Sequence, residues 1–115
     1  MENNKKNIIV EKTLAFSLLI IDYTELLESK RKYVIARQVL KSGTSIGANV
    51  REAQNAESKA DFIHKMKIAA KEADETEYWL LLCNLSKHYP DCPDLQLKIE
   101  EIIKILSKII SSSKK

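Results

Sequence analysis

Apolar residues recur at intervals of three and four along four stretches of the chain, which is the period of one helix face. The first stretch runs from about residue 8 to residue 29. Leu14, Leu18 and Ile21 share a stripe there with Glu25, flanked by Ala15, Leu19, Leu26 and Leu27. The second, about 31–56, carries Ala36, Val39, Leu40, Gly43, Ile46, Gly47, Val50 and Ala53. The third, about 59–88, carries Phe62, Met66, Ala69, Ala73, Thr76, Leu80 and Cys83. The fourth, about 93–111, carries Leu95, Ile99, Ile102, Leu106 and Ile109. The pattern predicts an all-α fold. Short connections between such helices give an antiparallel up-down-up-down four-helix bundle.

The breaks between stretches are unequally marked. Ser58 and Asp61 have the spacing of a capping box, in which the carboxylate answers a free N–H at the helix start. Asp91 and Asp94 repeat that spacing, and no helix continues through Pro90 and Pro93 of "YPDCP". The first break, "SKRK", has neither Gly nor Pro. A turn is placed there because one helix of about fifty residues is improbable; the alternative is a dimer of long helices with the first two continuous. The tail "SSSKK" is expected to fray.

Composition agrees with helices. The 115 residues fit a single domain spanning 1–115. Two glycines and two prolines leave little turn chemistry for a β fold, and a 44% hydrophobic share supports a core. A net charge of +3, from 19 basic and 16 acidic side chains, permits a nucleic-acid partner without requiring one. Cys83, read as a helix-buried thiol, and Cys92, read as a loop residue, form neither a disulfide framework nor a C-x-x-C zinc spacing, which points to a reducing compartment. Lys5, Lys6 and Lys12 ahead of "LAFSLLII" imitate a leader peptide, but no small-residue cleavage site follows, and Asp22, Glu25 and Glu28 continue the helical spacing. A cytoplasmic protein is expected.

Both glycines lie in "SGTSIGANV", residues 42–50. A phosphate-binding loop needs G-x-x-x-x-G-K-[ST] between a strand and a helix, and neither the spacing nor the lysine is present. Four residues make one helical turn, so Gly43 and Gly47 stack on one face. Each glycine costs a helix about 1 kcal/mol relative to alanine, which is understandable where a neighbour approaches closely. A hairpin around Glu57 sets them opposite Ala69, Ala70 and Ala73. Beside them runs a polar row, Ser42, Ser45 and Asn49. It is read either as solvated or back-bonded to the preceding turn, or, for Asn49, as a register-setting group in a subunit interface.

The stretch from Ser42 to Leu82 resembles the four-helix-bundle family of proteins encoded in intervening sequences of 23S ribosomal RNA genes. Accessory proteins of diversity-generating retroelements are similar in fold. The resemblance rests on Ser45 to Val50, Glu52-Ala53, Ser58, Phe62, Ile68-Ala69, Glu72 and Glu77. It implies a homo-oligomer, a pentameric barrel, an association with RNA or a reverse transcriptase in some relatives, and no catalytic residues. Relatives often carry proline in the first turn and glycine where this chain has Gln54.

No arrangement of chemistry-bearing residues points to an enzyme, a metal or a cofactor. His64 lies near Asp61 and Glu57 without a second histidine, and reads as a solvated face. Glu72, Asp74, Glu75 and Glu77 diverge around the third helix, and Glu72 and Glu77 are expected to pair with Arg37 or Arg51. The remaining basic features are Lys30 to Lys32 and an outward row of Arg37, Lys41 and Arg51. In an oligomer, symmetry would repeat that row and concentrate its field. Two readings follow: an oligomeric RNA-associated protein that contacts phosphates through Arg37, Lys41 and Arg51, or a protein-binding scaffold without nucleic-acid affinity, such as a reverse-transcriptase partner.

Overall fold

The computed structural model of the chain describes residues 7–114. Within them lie four helices and no strand: α1 (Ile8–Ser29), α2 (Tyr33–Ala53), α3 (Lys59–Leu85) and α4 (Pro93–Ser113). Helix α1 packs against α2 and α4, and α3 packs against the same two, which makes a four-helix bundle of 46 × 23 × 20 Å. Lys5, Lys6 and Lys115, which entered the leader and tail readings, lie outside the described residues.

α1 and α2 are separate helices. At their junction the Lys32 N–H donates to the Leu27 carbonyl and the Arg31 N–H to the Glu28 carbonyl, both at 2.9 Å. That is the Schellman pattern, which satisfies carbonyls left open at a helix end and needs a left-handed residue between. Arg31 takes that conformation, with φ 63°. The chain therefore turns at a non-glycine residue, and α2 starts at Tyr33 rather than Arg31. A left-handed L-residue is strained by roughly 1–2 kcal/mol. Arg31→Gly is expected to raise stability by up to about 1 kcal/mol, the gain being offset in part by the freer unfolded chain. A thermal melt at neutral pH checks this, and a lower melting temperature would contradict it.

The other ends follow their local chemistry. Ser58 Oγ accepts the Asp61 N–H at 3.0 Å, while the Asp61 carboxylate takes the N–H of Glu57 at 3.2 Å, one residue before the position expected. The Asp91–Asp94 capping box does not form. Cys92 is the N-cap of α4, and Pro93 occupies the first turn, where its missing N–H is no loss. α3 ends at Leu85, so His88 stands in the connection rather than on the helix. α4 extends to Ser113, so most of the tail is helical.

The core runs the length of the bundle through Phe16, Ile20, Leu27, Ile46, Met66, Leu80, Ile99 and Leu106. α3 buries Met66, Ala69, Ala73, Thr76, Leu80 and Cys83, with Phe62 at the edge. α1 differs from its expected face: Leu14 is 52% exposed, Leu18 57% and Ile21 38%, while Ile9, Phe16, Ile20 and Leu27 point inward. Thr13 and Thr24 accompany them, each hydroxyl donating to a carbonyl of its own helix at 2.7 and 2.9 Å. Those bonds remove the penalty of burying a hydroxyl. α1 is apolar on several sides, so its inner face was set by the shapes of α2 and α4.

Candidate helix contact and nucleic-acid face on α2

Gly43 and Gly47 face α1, not α3. A methyl group at Gly43 would stand 2.9 Å from Ile20 Cγ2 and 3.0 Å from Ile20 Cγ1. At Gly47 it would meet Ser17 Oγ and the Thr13 carbonyl oxygen at 3.3 Å. Glycine at 43 thus makes room for a buried branched side chain, and at 47 lets the two backbones approach. The nearest neighbours of both glycines are therefore on α1, rather than Ala69, Ala70 and Ala73 as expected. A four-residue spacing places two glycines on one face of a helix but leaves open which neighbour that face meets.

The residue that turns to α3 is Ser42, one position away. It is buried, and its Oγ lies 2.9 Å from Thr76 Oγ1. Ser42 Oγ is also 3.1 Å from the Gln38 carbonyl, and Thr76 Oγ1 is 2.8 Å from the Glu72 carbonyl. Each hydroxyl has one proton, so one bonds along its own helix while the other bridges the two helices. Ser45 and Asn49, half-buried, bond back to Lys41 and Ser45 carbonyls at 2.6 and 2.9 Å. The Asn49 side-chain oxygen remains available to a partner.

Arg37, Lys41 and Arg51 are exposed, and none has a carboxylate partner among the described residues. The pairing expected for Glu72 and Glu77 does not occur. Glu52 of α2 instead pairs with Lys65 at 2.8 Å, and Lys12 pairs with Glu101 at 3.3 Å. Both lysines reach a carboxylate on a neighbouring helix, whereas Arg51 lies on the α1 side of α2. From Arg37 to Arg51 the row is about 21 Å long at 1.5 Å per residue. Arg51 borders a cleft of about 130 Å³ between α1 and α2, whose other walls include Leu14, Ser17, Gly47 and Ala48. Cations and an uncovered apolar strip therefore share this side of the bundle.

The remaining titratable groups among the described residues are placed as follows. Cys83 and Cys92 are buried free thiols around the Tyr23 hydroxyl, which donates to the Pro90 carbonyl at 2.5 Å and fastens the α3–α4 connection to α1. Burial pushes Cys83 up and Cys92 up to about 11, against the smaller opposing effect of the Tyr23 hydrogen bond. Burial also pushes Tyr23 well above the ordinary phenol range. All three are neutral at physiological pH, which is unfavourable for a thiolate nucleophile. Cys92 is more than a loop residue: it caps α4, and its backbone N–H donates to Asn84 Oδ1 at 2.5 Å. His64 is exposed, and among the described residues no group of three His, Cys, Asp or Glu side chains is placed to hold a metal ion. Trp79 donates its indole N–H to Glu75 at 3.2 Å and packs tilted against Tyr78. No helix of the described residues is long and apolar enough to cross a membrane.

Residues 5–108 match the family described as 23S rRNA-intervening sequence protein. The chain belongs to that family. A solved structure gives the same fold: a protein with unknown function from the S23 ribosomal protein family of Bacteroides thetaiotaomicron, 44% identical, with a TM-score of 0.79. The alignment covers 89% of this chain and 97% of that one. No curated protein matches the sequence. Within the 23S rRNA-intervening sequence family, then, this chain's "SGTSIGANV" segment is a helix–helix contact whose glycines meet α1 and whose Ser45 and Asn49 are left half-buried.

Proposed function

We propose that this chain is a non-enzymatic, homo-oligomeric protein, an up-down-up-down bundle that holds structured RNA by its phosphates through Arg37, Lys41 and Arg51. The observation that carries the reading is the row itself: three exposed cations along α2 without carboxylate partners among the described residues. Cations already held in ion pairs would have to break them to take a phosphate. These do not. The family's link to 23S ribosomal RNA insertions gives the anion its class. Contacts to phosphate carry no sequence information, so little base preference is expected.

Phosphate binding releases condensed counterions, and affinity falls with salt by a log–log slope of about −0.9 per contact on duplex DNA. Fluorescence anisotropy with a labelled fragment of 23S rRNA, titrated at two salt concentrations, is expected to show such a fall. Replacing Arg37, Lys41 and Arg51 by glutamine should flatten the slope, with helicity unchanged because all three are exposed. Absent or salt-independent binding would remove the RNA reading. It would favour the scaffold reading, which the exposed strip of Leu14, Leu18 and Ile21 supports as a protein-binding surface.

A further inference from the structure

The α1–α2 turn and the α3–α4 connection meet at one end of the bundle. Lys32 Nζ lies over the Tyr89 ring, 5.1 Å from its centroid, and Tyr23 is bonded to Pro90. Two loops far apart in sequence thereby meet, and each carries cations. Lys30, Arg31 and Lys87 are exposed and have no carboxylate partner among the described residues, and Glu28 and Asp91 are the acids nearby in sequence. At the same end Tyr33, the first residue of α2, is 53% exposed. Val34, the next residue, and Leu85, the last of α3, are also exposed.

We propose that this end of the bundle docks an unpaired stretch of RNA, with a base stacked on Tyr33 and the flanking phosphates on Lys30, Arg31 and Lys87. This rests on the RNA reading above and adds a second, chemically different contact to it. The α2 row offers only charge and suits any phosphate backbone. An open aromatic ring offers its face only to a base that is itself unstacked, as in a single strand, loop or bulge. Tyr89 is less open, because Lys32 covers one face of its ring; there the cation is held in place rather than left to swing. The same RNA can therefore lie with its paired part along α2 and its unpaired part across the end.

The test compares two labelled hairpin RNAs of equal nucleotide number, one fully paired and one with a single-stranded oligouridine tail. The wild-type protein is expected to bind the tailed hairpin more tightly. Tyr33→Ala should weaken binding of the tailed hairpin about tenfold while leaving the paired one almost unchanged, and Tyr33→Phe should restore it. Lys87→Gln should reduce the salt slope for the tailed RNA alone. Replacing Arg37, Lys41 and Arg51 should weaken both RNAs. If Tyr33→Ala keeps the preference, or if the wild type has none, this inference fails while the phosphate reading stands. If neither hairpin binds, both fail together. If Tyr33→Ala changes the mass of the assembly instead of its RNA preference, the end of the bundle is a protein contact and the inference is overturned.

Discussion

Leucine at position 43 is expected to lower the melting temperature by roughly 10–15 °C, corresponding to about 3 kcal/mol. The physical reason is local. A Cβ at Gly43 already falls 2.9 Å from Ile20 Cγ2, closer than such contacts occur, and Ile20 is completely buried. The branch of Ile20 cannot rotate away, because a β-branched residue in a helix has one strongly preferred rotamer. α1 and α2 must separate instead, and the packing between them is lost. Gly43→Ala sets the same clash against about 1 kcal/mol of regained helix propensity, and should be destabilising by roughly 1 kcal/mol. Gly47→Ala meets its neighbours at 3.3–3.4 Å. There the propensity gain nearly offsets the crowding, and the change should stay within about 0.5 kcal/mol of neutral. A double-mutant cycle isolates the contact. Ile20→Ala removes the clashing carbons, so it should be less damaging in the Gly43→Ala background than in the wild type. Simple additivity of the two changes, or a wild-type melt for Gly43→Leu, would show that the approach of α1 is not what glycine serves.

That contact shows where sequence periodicity is sufficient and where it stops. α3 alternates small or apolar residues with charges, so its buried stripe from Met66 to Cys83 could be read directly. α1 offers leucines and isoleucines on several sides. Periodicity then yields several equivalent stripes, and the one selected, Phe16, Ile20 and Leu27, depends on the neighbours. The glycine pair was legible as a close contact because two costly residues one turn apart need a reason. Its direction was not, since Gly43 meets Ile20 while adjacent Ser42 meets Thr76. A helix advances about 100° per residue, so one step changes the partner helix. The turn at Arg31 had no glycine to announce it, and Pro93 rather than Asp91 determined how α4 begins. The row of Arg37, Lys41 and Arg51 was visible as a spacing, but its lack of carboxylate partners among the described residues was not. That depends on Glu52 being taken by Lys65, across two helices.

The outward face of α1 leads to the prediction with the largest effect on assembly. The double variant Leu14→Gln, Leu18→Gln is expected to convert an oligomer into a 13.2 kDa monomer. Both leucines are more than half exposed in the isolated chain, and Leu14 borders the cleft beside Gly47, Ala48 and Arg51. Leu40 of α2 is exposed as well. An exposed apolar strip of this kind marks an interaction surface, and the proposed assembly would cover it. Fully burying a leucine contributes about 1.5–3 kcal/mol, so covering the open half of each gives roughly 1 kcal/mol. In a symmetric assembly, loss of two such residues per subunit would be repeated at every interface. Glutamine is a good helix former and adds no charge, so the fold and the basic row are left alone. Light scattering coupled to size exclusion reads the mass, and circular dichroism should show unchanged helicity. If the proposed assembly holds RNA, affinity should fall with the mass, because an oligomer would present the row of Arg37, Lys41 and Arg51 several times to one RNA, and a monomer presents it once. A variant that keeps the wild-type mass would place the subunit contact elsewhere on the bundle. A monomeric variant with undiminished RNA affinity would show that one copy of the row is sufficient, and would separate the RNA reading from assembly.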